Sequence, residues 1–191
     1  MNNNLKWVYN PFEKTAGWKA FGIGIVILCV TTIVGYFGNM VFYGIQAKVV
    51  PAVTWSMVFS LQALGLAVFV AVMYVTALFF TKHVRFQDIL GTVTLAKYPL
   101  LLMALLSLAL GKAVASIDIN QLINMEFSYM DIISLFVFGI FAIFLLIWEI
   151  TLLYNAFRVS TNLKGIKSVV LFTSILLVSE IITIVLVFII Y

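Results

Sequence analysis

Residues 131–157 have the sequence DIISLFVFGIFAIFLLIWEITLLYNAF, and this stretch decides the fold class. Between Asp131 at its start and Arg158 just after its end, Glu149 is the single charged residue. A helix needs about 20 mostly apolar residues to cross about 30 Å of hydrocarbon. The stretch is long enough and apolar enough, so it predicts a helix that spans a membrane.

Four other stretches are similarly long and apolar, and the whole composition agrees with them. The chain of 191 residues is 64% hydrophobic and 9% charged, whereas a soluble domain is about half apolar and about a quarter charged. This balance excludes a soluble globular enzyme, a disordered chain and a secreted disulfide scaffold. We therefore expect an all-α, polytopic integral membrane protein, a bundle of five transmembrane helices in one domain over residues 1–191. After an interfacial tail at 1–17, the predicted spans are about 18–45, 52–80, 89–110, 131–157 and 166–191.

The positive charges predict the orientation of this bundle. Of the eleven Lys and Arg residues, eight fall on one side of the predicted spans, two on the other, and Lys97 inside span three. The positive-inside rule then places the N-terminus in the cytoplasm and the C-terminus outside. In a bacterium the membrane would be the inner cell membrane. The cations on the predicted cytoplasmic side are Lys6, Lys14 and Lys19, followed by the loop anchors Lys82, Arg85, Arg158, Lys164 and Lys167.

Small residues recur at helical spacing in the first two spans. Because small residues let membrane helices approach closely, we interpret both stripes as packing seams rather than as a substrate path. Cys29 in span one is interpreted as a small buried hydrophobe. In the tail, Asn10 and Pro11 fit the start of a helix, and Phe12 is interpreted as an interfacial ring. The stripes are Gly17, Gly24, Thr31, Gly35 and Gly38 in span one, and Ser56, Ser60, Ala63, Ala67 and Ala71 in span two.

Three ionisable residues, Lys97, Glu149 and Glu180, lie inside predicted spans. A charge at the centre of a membrane helix costs about 2.5–3.5 kcal/mol on insertion scales, so such residues face the bundle interior. Two interpretations stay open: a pathway for a proton or solute, or a structural ion pair with a carboxylic acid kept neutral by burial. For Glu180 we expect hydrogen bonds with Thr173 and Thr183 on its own helix.

Span three also carries a predicted kink at Tyr98 and Pro99, because proline lacks an amide hydrogen and its ring clashes with the carbonyl of Leu95. Lys97 and Glu149 lie at matching depths, each about 12 Å from the cytoplasmic interface at a rise of about 1.5 Å per residue. Glu180 lies deeper, at about 21 Å on the same count. We therefore predict that Lys97 pairs with Glu149.

No motif in the chain predicts catalysis or a cofactor. His83 is the single histidine and Cys29 the single cysteine, so a metal site built from these residue types is not expected. The sequence contains no G-x-S-x-G, H-E-x-x-H or glycine-rich phosphate loop. We therefore expect no enzyme activity, no cofactor and no catalytic or metal residues. The basic residues beside apolar runs indicate membrane topology rather than nucleic-acid binding.

The pattern resembles the Yip family, the Ypt/Rab-interacting membrane proteins with a "Yip-one" domain, and in particular its short bacterial-type members. The resemblance covers nearly the whole chain and rests on motifs of low sequence specificity. They are Asn10-Pro11-Phe12, the five spans, Arg85-Phe86-Gln87-Asp88-Ile89-Leu90 leading to Ala96-Lys97-Tyr98-Pro99, Trp148 with Leu152-Leu153 and Arg158, and Lys164-Gly165.

The resemblance implies a non-enzymatic, membrane-organising or partner-binding protein. Eukaryotic members bind prenylated Rab GTPases in membrane traffic, but their longer tail carries an Asp-Leu-Tyr-Gly-Pro-type motif that is absent here. The family supplies no catalytic residues. The expected partners are the lipid bilayer, a membrane or cytoplasmic protein, and a second copy of the chain. The alternative is a small transporter or permeation subunit that uses Lys97, Glu149 and Glu180.

Overall fold

The computed structural model describes residues 10–81, 84–115 and 129–191. Within them, five helical stretches are long and apolar enough to cross a membrane. A short 3-10 helix at Pro11–Glu13 comes first. The other elements are α1 Gly17–Phe37, β1 Met40–Tyr43, β2 Gln46–Val49, α2 Trp55–Phe80, α3 Phe86–Ala96, α4 Pro99–Ala115, α5 Tyr129–Thr161 and α6 Gly165–Ile190.

The predicted first span is wrong over its last residues, and the all-α class needs one correction. Helix α1 ends at Phe37, and β1 and β2 form an antiparallel hairpin where the helix was expected to continue to Ile45. Gly38 closes α1 by donating its amide to the carbonyls of Val34 and Gly35 at 3.0 and 3.1 Å. Asn39 then takes a positive φ of 55°, which directs the chain back toward the bundle.

The hairpin, residues 40–49, turns within two residues. Tyr43 pairs with Gln46, which leaves Gly44 and Ile45 as the turn. Gly44 has φ +57°, and glycine at the first central position is typical of the type II′ turns that suit hairpins. Met40, Val41 and Phe42 are almost completely buried, so the first strand lies inside the bundle rather than on its surface.

The third predicted span is interrupted at the predicted place. Helix α3 ends at Ala96 and α4 begins at Pro99. Across the break the amide of Tyr98 donates to Leu95 O at 3.2 Å and that of Leu100 to Lys97 O at 3.0 Å. These are the i to i−3 bonds of a tightened 3-10 turn. Pro99 has no amide hydrogen to donate to the Leu95 carbonyl, and the amide of Tyr98 donates to it instead.

The helix contacts confirm the predicted packing seam on α1 and contradict the one on α2. Helix α1 packs mainly against α3 and α4, α2 against α6 and β1, and α5 against α3 and α4. All five small residues of the α1 stripe are buried. At Gly24 an added Cβ would lie 2.7 Å from the backbone of Thr94 and Leu95 in α3. The α2 stripe is exposed instead, because α2 turns other residues toward the core.

Among the smaller expectations, those for Phe12 and Cys29 are wrong. Phe12 is 1% exposed and belongs to the main hydrophobic core, so it is not an interfacial ring. The prediction for Asn10 and Pro11 is confirmed, because Asn10 is the N-cap and Pro11 the first residue of the 3-10 helix; the Asn10 side chain donates to the Glu13 carboxylate at 3.0 Å rather than capping an amide. Cys29 is exposed on α1 rather than buried. Lys6, Lys82, His83 and the segment 116–128 lie outside the described residues.

Candidate functional site: a charge cluster at the hairpin turn

Lys97 and Glu149 form the predicted pair. Lys97 lies in the break between α3 and α4, and its Nζ atom is 2.8 Å from Glu149 Oε1 in the middle of α5. Each side chain is 1% exposed. The ammonium also donates to the carbonyl of Gly44 at the hairpin turn and lies 5.9 Å from the centre of the Phe69 ring. A carboxylate, a carbonyl and an aromatic face therefore surround the cation.

Glu180 binds the same turn from α6. The amide of Ile45 donates to its Oε1 at 2.7 Å, and the side chain of Gln46 donates to its Oε2 at 3.3 Å. The expected threonine partners are wrong: Thr173 is exposed, and the hydroxyl of Thr183 is buried without a hydrogen-bond partner among the described residues. Sequence reasoning missed the hairpin, so it missed these partners.

The hairpin turn joins the three ionisable residues into one group, which we call the charge cluster (Lys97, Glu149 and Glu180). Two glycines let the turn reach it. A Cβ at Gly44 would overlap the Glu180 carboxylate, and a Cβ at Gly65 in α2 would overlap the backbone nitrogen of Gly44. The signal in the sequence was the turn glycine at Gly44 between residues rich in Val, Phe and Tyr, which favour strands.

A cavity of about 360 Å³ leads to this cluster. Glu149 lies at one part of its wall, and the second strand of the hairpin forms another. The remaining wall comes from α4 and α5, mostly through apolar side chains. We call this space the hairpin cavity; its lining residues are Ile45, Gln46, Ala47, Lys48, Leu100, Met103, Ala142, Ile143, Leu145, Leu146 and Glu149.

The free edge of β2 adds polar backbone to that cavity. The amide of Val50 donates to Asn39 O at 2.8 Å, and Phe42 lies opposite Ala47 in the register. In the alternating ladder of an antiparallel pair, this makes Phe42 and Ala47 a non-hydrogen-bonded pair whose backbone groups point outward. Ala47, which lines the hairpin cavity, therefore has an amide and a carbonyl that point away from β1.

The four described loop anchors lie together at the end of the bundle opposite the hairpin. Arg85 precedes α3, Arg158 is in the last turn of α5, and Lys164 and Lys167 flank the start of α6. All four are exposed. We call this the basic end; the fifth anchor, Lys82, lies outside the described residues.

A separate, polar space lies at the basic end. This polar cleft of about 360 Å³ is bordered by the 3-10 helix and by the junction of α5 and α6. Arg158 stacks 5.6 Å from the ring centre of Tyr154. The polar residues that line the cleft are Asn10, Glu13, Asn155, Arg158, Asn162 and Lys164.

Within the described ranges, no group of three or more His, Cys, Asp or Glu side chains is placed to hold a metal ion. Comparison with protein-family models finds no matching family, and neither the curated proteins nor the solved structures include a similar protein. The resemblance to the Yip family therefore stays a prediction.

Proposed function

We propose that the chain is a five-span integral membrane protein with its basic end in the cytoplasm and the hairpin opening outside, in the inner cell membrane if the organism is a bacterium. The eight-to-two division of the loop cations supports this orientation. The large apolar side chains exposed along α5 and α6 suit contact with lipid. The C-terminus is then outside.

The function that the geometry supports best is transport or permeation of protons or small cations, without an enzyme activity. One observation carries the proposal: a broken helix, a re-entrant hairpin turn and three ionisable residues meet at one buried point. Ionisable residues inside membrane helices mark ion and proton pathways. Interrupted helices near the membrane centre form the binding sites of many transporters.

Hydration of the hairpin cavity supports the same proposal. Irregular or unpaired backbone at membrane depth is tolerated only where protein buries it or water reaches it. Ala47 lines the hairpin cavity and its backbone groups point away from β1, so we infer that water fills the cavity. Water then extends from the outer surface, past exposed Lys48, to Glu149.

The charges of the cluster favour a cation. Lys97 balances one carboxylate, and Glu180 contributes a second, so the cluster with all groups ionised carries a net charge of −1. A proton or small cation that arrives through the hairpin cavity meets Glu149 and replaces Lys97 as its counter-charge. The carbonyl of Gly44 keeps the displaced ammonium inside the cluster.

Proteoliposomes with an internal pH dye test this proposal. With a potassium diffusion potential imposed, wild-type protein should pass protons faster than protein-free vesicles. Glu149→Gln keeps the shape of the side chain but removes its charge, and the flux should fall to the background. Glu13→Gln removes an exposed carboxylate at the other end and should leave the flux unchanged. Wild-type flux no higher than that of empty vesicles would contradict the proposal.

A second candidate is the partner-binding module that the resemblance to the Yip family implies. The polar cleft favours it, because Arg158 and Lys164 border a space at the proposed cytoplasmic surface. Crosslinking in native membranes followed by purification should then recover the same protein partner repeatedly. The recovery should be lost in Arg158→Ala with Lys164→Ala and kept in Glu149→Gln. A second copy of the chain is also a partner that this experiment detects.

A further inference from the structure

A groove of about 470 Å³ lies between α1 and α2, which contact each other much less than α1 contacts α3 and α4 or than α2 contacts α6 and β1. Phe86 and Leu90 of α3 border it as well. The α2 stripe contributes Ala63, Ala67 and Ala71, which are exposed along it. The small residues that were expected to form a helix seam therefore leave an open groove, which we call the α1–α2 groove.

Two polar side chains line this otherwise apolar groove. Thr32 on α1 is 3% exposed and Gln62 on α2 is 8% exposed. The hydroxyl of Thr32 donates to Leu28 O at 2.8 Å. Gln62 Oε1 is shielded from solvent and has no hydrogen-bond partner among the described residues. Buried polar atoms normally have a partner, so this acceptor points to a missing donor.

Thr32 and Gln62 also lie at the same level. Thr32 is five residues before the end of α1 and Gln62 is seven residues after the start of α2. At about 1.5 Å per residue, they lie about 8 and about 10 Å from the hairpin end of their helices. A ligand in the groove would meet both polar groups at one depth, just below the outer surface of the proposed orientation.

We propose that the α1–α2 groove binds one apolar chain of a membrane amphiphile whose hydroxyl group donates to Gln62 Oε1. The apolar walls suit a hydrocarbon chain, and the unpartnered oxygen requires a donor that a plain alkyl chain lacks. A second copy of the chain fits less well, because a helix with its side chains is about 10–12 Å wide and Gln62 is only 8% exposed. This binding is independent of the proposed transport.

The test uses a long-chain primary alcohol that carries a photoreactive diazirine midway along its chain. Its methyl ether, which has no donor, is the matched probe. After irradiation of the purified protein in vesicles, the alcohol should label peptides of α1 and α2 several-fold more than the ether. Equal labelling by the two probes, or labelling spread over all lipid-facing helices, would overturn the proposal.

Two substitutions test separately the Gln62 acceptor and the space in the groove. Gln62→Met should abolish the preference for the alcohol, and Ala67→Phe should fill the groove and lower labelling by both probes. Ala109→Phe adds the same ring to an exposed position on α4 and should change nothing. A preference that survives Gln62→Met, or a crosslinked dimer that depends on Gln62, would overturn the proposal. The alcohol-to-ether ratio of the wild type decides the matter even if a variant fails to fold.

Discussion

At the scale of single residues, the charge cluster shows how buried ionisable side chains obtain the partners that they need inside the bundle. Lys97 has a carboxylate and a carbonyl as partners, and Glu180 has two donors from the hairpin. A satisfied network in a low-dielectric interior is strong, whereas a single unpaired member is expensive. Removal of one charge should therefore destabilise the protein more than removal of both members of an ion pair.

The first prediction follows for the Lys97–Glu149 pair. Lys97→Met or Glu149→Leu alone should lower the free energy of unfolding by about 3–5 kcal/mol, because each leaves a buried charge without its partner. The double variant should recover much of that loss. Thermal unfolding of the purified proteins in detergent measures all three. Losses that simply add in the double variant would show that the two side chains are not coupled.

The second prediction compares two glycines of α1. An alanine Cβ at Gly24 would lie 2.7 Å from the backbone of α3, whereas a Cβ at Gly22 would meet nothing within 4 Å. Gly24→Ala should cost about 1–3 kcal/mol of stability by overpacking. Gly22→Ala should be neutral or stabilise by up to about 1 kcal/mol, since alanine favours helix. Equal unfolding temperatures for the two variants would contradict the close contact of α1 with α3.

At the scale of elements, the two strands of the hairpin are buried to different degrees. Phe42 and Ala47 lie opposite each other in the ladder, yet Phe42 is 2% exposed inside the core and Ala47 lines the hairpin cavity. This contrast allows the water content of the cavity to be tested directly, without any assay of transport.

The third prediction uses these two positions in a Cys29→Ser background, which removes the one native thiol. Ala47→Cys should react from outside intact cells with a small, water-soluble thiol reagent, because water reaches the cavity. Phe42→Cys should react far more slowly, because core packing shields it. Mass spectrometry of the labelled protein measures both rates. If Ala47→Cys is as inert as Phe42→Cys, the cavity is dry.

The elements also show where prediction from sequence succeeds and where it stops. Pro99 acts through a local rule, so the break beside Tyr98 could be predicted, and the depths of Lys97 and Glu149 predicted their pairing. Residues 38–50 are almost as apolar as a span, so hydropathy could not separate a hairpin from a longer helix. The exposed stripe on α2 was missed because a stripe of small residues does not reveal which helix lies beside it.

At the scale of the whole molecule, the proposed orientation depends on which end carries the cations. Arg85, Arg158, Lys164 and Lys167 lie at the basic end, and the hairpin enters from the other. Five spans place the two ends of the chain on opposite sides of a membrane. Every part of the transport proposal that refers to outside or inside depends on this arrangement.

The fourth prediction tests the proposed orientation with two exposed loop positions, again in the Cys29→Ser background. Ala52→Cys, between the hairpin and α2, should react with an impermeant thiol reagent on intact cells. Lys164→Cys, before α6, should react only after the membrane is permeabilised. Reaction of both positions from the same side would contradict the five-span arrangement.

The bond between the hairpin turn and α6 has a consequence for the order in which the chain matures. Ile45 and Glu180 are 135 residues apart, so the turn emerges from the ribosome long before its acceptor. At about 5–20 residues per second, the delay is about 7–27 s. During that interval the turn lacks Glu180, and Lys97, 53 residues after Gly44, is the first of its two partners to be synthesised. The hairpin is therefore expected to dock late. In a chain released before α6 is synthesised, the hairpin segment should stay accessible to proteases.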